Sequence, residues 1–287
     1  MNNNLNRERT KYIISVVLYG TIGTFLRYVS LPSEIVAMCR GLLGSVFILM
    51  FLRLRKIKPD GSAIKRNLLP LSISGIALGL NWIFLFAAYV QTTVAIASLC
   101  NYMAPLIVIL IAPFVLRESL DKRKLLCVLA AFIGIVLVSG AWDGEVGNIS
   151  GIFMGLMAAV CFVVIVICNR KLKDISAYDR SIFQLALSAV TILPYAIFNN
   201  QGKPLVCDPV SLLIILMLGI IHTGVAYCLY FSGMANLPVQ TVAILGYLEP
   251  VISVLCSTLF LGEPLGVDGW IGAILIIGAA VISEILH

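Results

Sequence analysis

The chain has 287 residues, 60% of them hydrophobic and 12% charged, with a formal net charge of +6 and a mean hydropathy of +1.04. A soluble domain carries about a quarter charged residues, so the composition excludes one and is that of a polytopic membrane protein. The positive charge does not indicate nucleic acid, because the basic residues lie in short loops beside apolar runs, where they set topology.

Ten apolar runs follow one another, at residues 11–29, 32–52, 68–90, 92–116, 122–141, 149–169, 177–198, 209–232, 238–261 and 267–286. Each approaches the roughly 20 residues that a helix needs to cross a bilayer. Strands of a barrel would be shorter and would alternate. The expected fold is therefore an all-α integral membrane protein of ten transmembrane helices. No linker exceeds about a dozen residues, which leaves no room for a soluble domain. The first run is too long for a cleavable leader and lacks a small-residue cleavage site.

Polar residues at mid-run are few, and they are the candidates for function. The first run carries Tyr19, the second Arg40, and the third Asn81 and Trp82. The fourth holds Asn101 and Tyr102, with Pro105 beyond them. Gln184 lies in the seventh run, and His222 and Tyr227 in the eighth. Tyr247, Glu249 and Pro250 stand in the ninth. A charge inside the bilayer costs at least a few kcal/mol and is tolerated where it lines a cavity, pairs or moves a proton. Glu249 is thus a candidate substrate-ammonium ligand or proton acceptor; the structural alternative is a partner for Arg40 or for a backbone amide freed by Pro250. Arg40 could grip a substrate carboxylate with its planar fork, or sit in a fixed ion pair. His222 could hydrogen-bond substrate or relay protons, or be a packed imidazole. Asn81 and Asn101 bond across helices or line a pocket. Trp82, Tyr102 and Tyr247 could stack on substrate or serve as aromatic packing. Pro105 and Pro250 are expected to kink their helices, as hinges or as static bends. Gly75-x-x-x-Gly79 and Gly151-x-x-x-Gly155 permit close helix approach.

Seven of the eight cysteines, all but Cys207, lie in apolar runs without ligand spacing, and read as core residues. Metal, cofactor and enzyme motifs are absent from the sequence. The basic residues cluster before run 1 and after runs 2, 4 and 6, leaving Arg27 and Lys203 on the other side and Arg40 within run 2. The positive-inside rule then places both termini in the cytoplasm, in a multi-pass protein of the plasma or inner membrane.

An internal repeat appears at an offset of 145. Tyr102, Pro105, Ile107, Leu116 and Glu118 match Tyr247, Pro250, Ile252, Leu261 and Glu263, and Gly79 matches Gly224. Arg40 falls near Gln184. Five runs per half is an odd number, so the second half must cross in the opposite sense. Inverted repeats of this kind place a substrate site between the halves. The expected units are residues 1–143 and 144–287.

The repeat, Leu116-Arg117-Glu118 and Leu261-Gly262-Glu263, the prolines Pro105 and Pro250, Leu248-Glu249-Pro250 and Arg40 together resemble the drug/metabolite transporter superfamily, EamA-type branch. The likeness runs from about Tyr12 to Ile285. It implies a secondary transporter of small organic solutes, often an exporter of amino acids or related metabolites, with a central cavity lined by four helices of each half. The small multidrug-resistance branch carries a first-helix Glu that is missing here, which argues against drug–proton antiport through that position. The expected partners are a small polar or zwitterionic substrate and the lipid bilayer, with no nucleic acid; a homodimer stays open. Proton coupling through Glu249 stays open too. The rival readings are a non-transporting sensor or accessory protein and a carrier of lipid-linked substrates.

Overall fold

The structure, a computed structural model, describes residues 2–91, 97, 100–115, 122–138, 149–200, 205, 207–256, 259–260 and 266–285. Glu118 and Glu263, matched by the repeat, lie outside the described residues. Helices account for the described elements, and no strand occurs among them. In chain order these are α1 (Asn2–Leu26), α2 (Ser33–Leu54), the short α3 (Gly61–Arg66), α4 (Leu68–Gln91), α5 (Ala104–Val115), α6 (Lys122–Val138), α7 (Ile149–Lys171) and α8 (Ala177–Asn200). Then come α9 (Pro209–Gly219), a π-helical stretch (Ile220–Val225), α10 (Ala226–Asn236), α11 (Val239–Gly246), α12 (Leu248–Cys256) and α13 (Val267–Ile285).

Five helical segments are long and apolar enough to cross a bilayer: Ser33–Leu54, Leu68–Ala88, Ile149–Lys171, Ala177–Asn200 and Pro209–Asn236. Their polarity is turned inside out relative to a soluble bundle. Large apolar side chains such as Leu69, Leu126, Phe153, Leu213 and Ile274 face outward, while Ser15, Arg40, Asn81, Gln184, His222 and Thr223 are buried. Lipid accepts the outer surface, and polar groups find partners only inside.

The fourth and ninth apolar runs are not continuous helices. Residues 100–101 are helical, Tyr102–Met103 form a turn, and α5 starts at Ala104. Likewise α11 ends at Gly246, Tyr247 is a turn residue, and α12 starts at Leu248. Pro105 and Pro250 are therefore second and third residues of new helices, rather than kinks inside old ones. A proline in a first turn removes an N–H that has no intrahelical acceptor anyway. The chain bends ahead of the proline, at the tyrosine. Pro113 and Pro194 are the prolines placed inside α5 and α8.

Packing pairs are matched across the two halves. α4 packs on α7 and α8, as α10 packs on α1 and the π-helical stretch on α2; α2 meets α8, α6 meets α13, and α5 meets α11. Small residues set the closest approaches. A Cβ on Gly20 would stand 2.7 Å from the Glu249 carbonyl oxygen and 2.7 Å from Ile252 Cβ, so α1 crosses the start of α12 almost backbone to backbone. Gly79 brings α4 against Ser188 and Thr191 of α8, and Gly134 brings α6 against Gly272 of α13.

At one end of the bundle, Asp208 caps α9, accepting from the Val210 and Ser211 amides at 2.9 Å each, with Pro209 following. Its second oxygen accepts from the hydroxyls of Ser211 (2.6 Å) and Ser30 (2.9 Å), which joins the α1–α2 connection to α9. Elsewhere Asn67 acts as a backbone mimic, donating to the Lys173 carbonyl (2.8 Å) and accepting from its amide (2.9 Å).

Two outcomes follow. Gly20→Ala forces backbone apart and should cost about 1–3 kcal/mol, read as a lower unfolding midpoint in detergent. Gly23→Ala, whose Cβ would come only within 3.8 Å of Ser253 Oγ, should leave the midpoint within error. The Ser211 and Ser30 hydroxyls and the Ser211 and Val210 amides hold the Asp208 carboxyl well below the usual carboxylate range. Because the folded pKa lies under the unfolded one, this stabilisation is complete above about pH 4 and is lost as pH falls through the folded value. Asp208→Asn should flatten that acid limb in a thermal-unfolding series against pH.

Candidate functional site

A cavity of about 570 Å³ runs along α1, from Tyr12 past Tyr19 and Gly20 to Arg27. Its other walls come from α2, α4, the Tyr102 turn, α5, α7, α10, α11 and α12. The volume suits a small organic molecule. Arg27 is exposed at one end, while Tyr12 and Phe231 are buried at the other. That buried end is sealed. Tyr12 Oη donates to the Val242 carbonyl at 3.0 Å, and α1 crosses α10 at Gly233, where a Cβ would meet the Glu8 carbonyl oxygen at 2.7 Å. Arg180, itself buried, donates to the Phe231 carbonyl at 2.7 Å and lies 4.7 Å over the Phe231 ring.

Eight of the eleven sequence-predicted binding residues line this cavity: Tyr19, Arg40, Asn81, Trp82, Asn101, Tyr102, Tyr227 and Glu249. The local fold explains how each arrives. Glu249 occupies the first turn of α12, where amide N–H groups lack intrahelical acceptors and negative charge is favoured. Tyr102 lines the same cavity. At the equivalent place in the first half stands Ala104, which faces the same cavity. The two breaks touch each other, with Tyr247 Oη donating to the Tyr102 carbonyl at 3.2 Å.

Arg40 projects from α2, 92% buried as a residue. Its Nε donates to Thr223 Oγ1 at 3.2 Å, and its guanidinium carbon sits 5.4 Å from the Trp82 ring centroid. The π-helical stretch is what supplies Thr223. Thr223 Oγ1 donates to the Leu218 carbonyl five residues back at 2.8 Å, bonding the widened turn. Arg40 and Glu249 are within electrostatic reach of each other, yet no ion pair joins them. Among the described residues Thr223 is the only hydrogen-bond partner of Arg40, and its two terminal nitrogens have none. Asn81 closes the wall, donating to Asn101 Oδ1 (3.1 Å) and the Ala158 carbonyl (2.8 Å), which ties α4 to the fourth run and to α7.

Three predicted residues stand back from the cavity. Gln184 is fully buried between α4 and α7, donating to Ser74 and, at 2.8 Å, to Asn169 Oδ1. The strict repeat offset pairs Arg40 with Leu185 rather than Gln184, and Leu185 is a core residue. His222 turns toward α1, its Nε2 2.9 Å from Thr21 Oγ1 and its ring edge-on to Phe25 at 5.4 Å. Its Nδ1 lies near the Met217 carbonyl without a well-formed hydrogen bond. Tyr247 is fully buried and reaches the site only through Tyr102.

The cavity also contains residues that the sequence reading did not single out: Tyr12, Phe86, Phe162, Tyr230 and Phe231. Two signals were available. Tyr12 and Tyr19 are seven apart, and Tyr227, Tyr230 and Phe231 fall at i, i+3 and i+4, so each set shares a helix face.

Known proteins share this plan. The sequence pattern of the EamA-like transporter family matches the chain twice, at residues 11–140 and 149–284. An uncharacterized transporter of Bacillus subtilis, YxxF, is 28% identical over 262 residues, covering 88% of this chain and 81% of that protein. An aromatic amino acid exporter of Ancylobacter novellus, YddG, is 26% identical over 233 residues, 79% of each chain. One solved crystal structure superposes with a TM-score of 0.84 at 22% identity, over 97% of this chain and 98% of its own, which shows a shared fold. With both halves of the sequence matched, the chain belongs to the EamA-like transporter family.

Proposed function

We propose that this transporter moves a small zwitterionic metabolite of the amino acid type by alternating access. The observation that carries the reading is that Arg40 and Glu249 face one cavity without pairing to each other. A buried guanidinium and a half-buried carboxylate on one cavity each lack an ion-pair partner among the described residues, which is costly in a site shielded from water. A ligand with a carboxylate for Arg40 and an ammonium for Glu249 completes both. The cavity supports alternating access as well, being sealed beside Tyr12 and exposed at Arg27.

In this reading the ten apolar runs form two inverted units, residues 1–143 and 144–287, with both termini cytoplasmic in the plasma or inner membrane. The matched packing pairs and the contact of Tyr102 with Tyr247 support that arrangement. The tyrosine turns at 102–103 and 247 are the hinges, ahead of Pro105 and Pro250. Glu249 exchanges a proton as substrate leaves, and export is the favoured direction, as in the related exporter.

Flux in liposomes that contain only this protein tests the proposal; no flux of any zwitterion from a folded sample would sink it. Glu249→Gln should abolish the pH dependence of transport with an unchanged unfolding midpoint, and a wild-type pH profile would remove Glu249 from coupling. Arg40→Ala loses a charge-assisted hydrogen bond to substrate worth about 1.5–3 kcal/mol. KM for zwitterions should therefore rise about 10-fold to 100-fold, with amines that lack a carboxylate unaffected. An equal loss for both classes would make Arg40 structural.

A further inference from the structure

Five tyrosines share the cavity with its one carboxylate among the described lining residues. Tyr12, Tyr19, Tyr227 and Tyr230, with Tyr102, line it together with Glu249. The first four form a continuous wall. Ring centroids are 5.1 Å apart for Tyr12–Tyr230, 5.6 Å for Tyr19–Tyr227 and 5.8 Å for Tyr19–Tyr230. α1 supplies two of these rings and α10 the other two.

Of the four hydroxyls of this wall, Tyr12 Oη is committed elsewhere, donating to the Val242 carbonyl at 3.0 Å. Around them the lining is apolar, from Val16 and Gly20 to Val242 and Gly246. A primary ammonium carries three N–H donors and needs an acceptor for each, whereas most of the surface here is ring and aliphatic carbon. An ammonium whose hydrogens are replaced by methyl groups needs none. It presents a charged but apolar surface, and the faces of several aromatic rings attract it by the cation–π interaction, at about 2 kcal/mol or more where water is excluded.

We propose that the cationic end of the site is an aromatic cage for an N-methylated ammonium, so that the preferred substrates are small methylated zwitterions of the betaine type. The carboxylate of such a substrate lies on Arg40 and Trp82, and its trimethylammonium lies among Tyr19, Tyr227 and Tyr230 over Glu249. An aromatic amino acid would use the corner differently, with its ring remote from the charge that Glu249 binds. The rings here line the same cavity as the carboxylate. The inference rests on the zwitterion-transport reading and narrows its substrate.

A methylation series tests it: glycine, N-methylglycine, N,N-dimethylglycine and glycine betaine, each offered to the purified full chain in liposomes and in a thermal-shift assay. Each methyl should strengthen binding, with glycine betaine at least 10-fold tighter than glycine. Tyr19→Leu should flatten the series, whereas Tyr19→Phe, which keeps the ring, should preserve it. Tyr227→Leu supplies a second removal in case Tyr19→Leu folds poorly. Transport of amino acids with a flat or falling series would overturn the cage and leave the zwitterion reading standing. Absence of flux for every zwitterion would overturn both.

Discussion

Two helices are broken at equivalent points, and the candidate site depends on those breaks. Within a bilayer, backbone N–H and C=O groups must be satisfied by protein, so irregular backbone is tolerated only where it is buried or lines a cavity. The turns at Tyr102–Met103 and Tyr247 meet that condition by leaning on each other, through the hydrogen bond from Tyr247 Oη to the Tyr102 carbonyl. Breaking the ninth run at Tyr247 starts α12 at Leu248 and puts Glu249 in its first turn. Glu249 one turn further into an unbroken helix would meet carbonyls already bonded within the helix and would lose the free amides. Gly20 matters for the same reason: only a residue without Cβ lets α1 reach the carbonyl of Glu249 itself.

Much of this is legible in the sequence because it rests on residues that are costly out of place. A lone acid, a lone arginine and prolines in apolar runs have few physical excuses, and the recurrence of the prolines, each with a tyrosine before it, at a fixed offset turns single oddities into a pattern. The geometry of the breaks was not legible. Proline predicts that a helix is disturbed, yet whether it bends or restarts depends on the tyrosine before it and on what that tyrosine meets across the bundle. The π-helical stretch is likewise silent in Ile220–Val225, since its extra residue is fixed by the fit of α2 against Gly219 and Gly224. That shift carries His222 toward Thr21 on α1 and brings Thr223 to Arg40. Gln184 misled for a related reason. Mid-run polarity alone cannot separate a cavity residue from one whose partners, Ser74 and Asn169, are polar residues of neighbouring helices.

The tyrosines show the opposite case, where the signal was present and had a bland explanation. Aromatic residues at helical spacing usually pack, and here they do pack, ring against ring between α1 and α10. What distinguishes them is the company of Glu249. The Tyr12 hydroxyl is turned to the Val242 carbonyl, and the rings form this wall of the cavity.

The two halves resemble each other in path and differ in charge. Ala104 stands where Glu249 would be, and Leu185 where Arg40 would be. Under the proposed alternating access, a symmetric frame with asymmetric charges would bind one ligand in one orientation, and the matched helix pairs would let either end open. The seal beside Tyr12 combines core packing of Tyr12, Phe231, Met234 and Val242 with hydrogen bonds to the main-chain carbonyls of Val242 and Phe231. Such bonds can be exchanged for water at about 0.5–1.5 kcal/mol each, and somewhat more where a charged group donates. That cost is within reach of the differential binding energy that a ligand must supply to shift a two-state equilibrium. In the proposed cycle the packed rings of Tyr12 and Phe231 add to that cost, so the ligand's binding energy must also cover parting them.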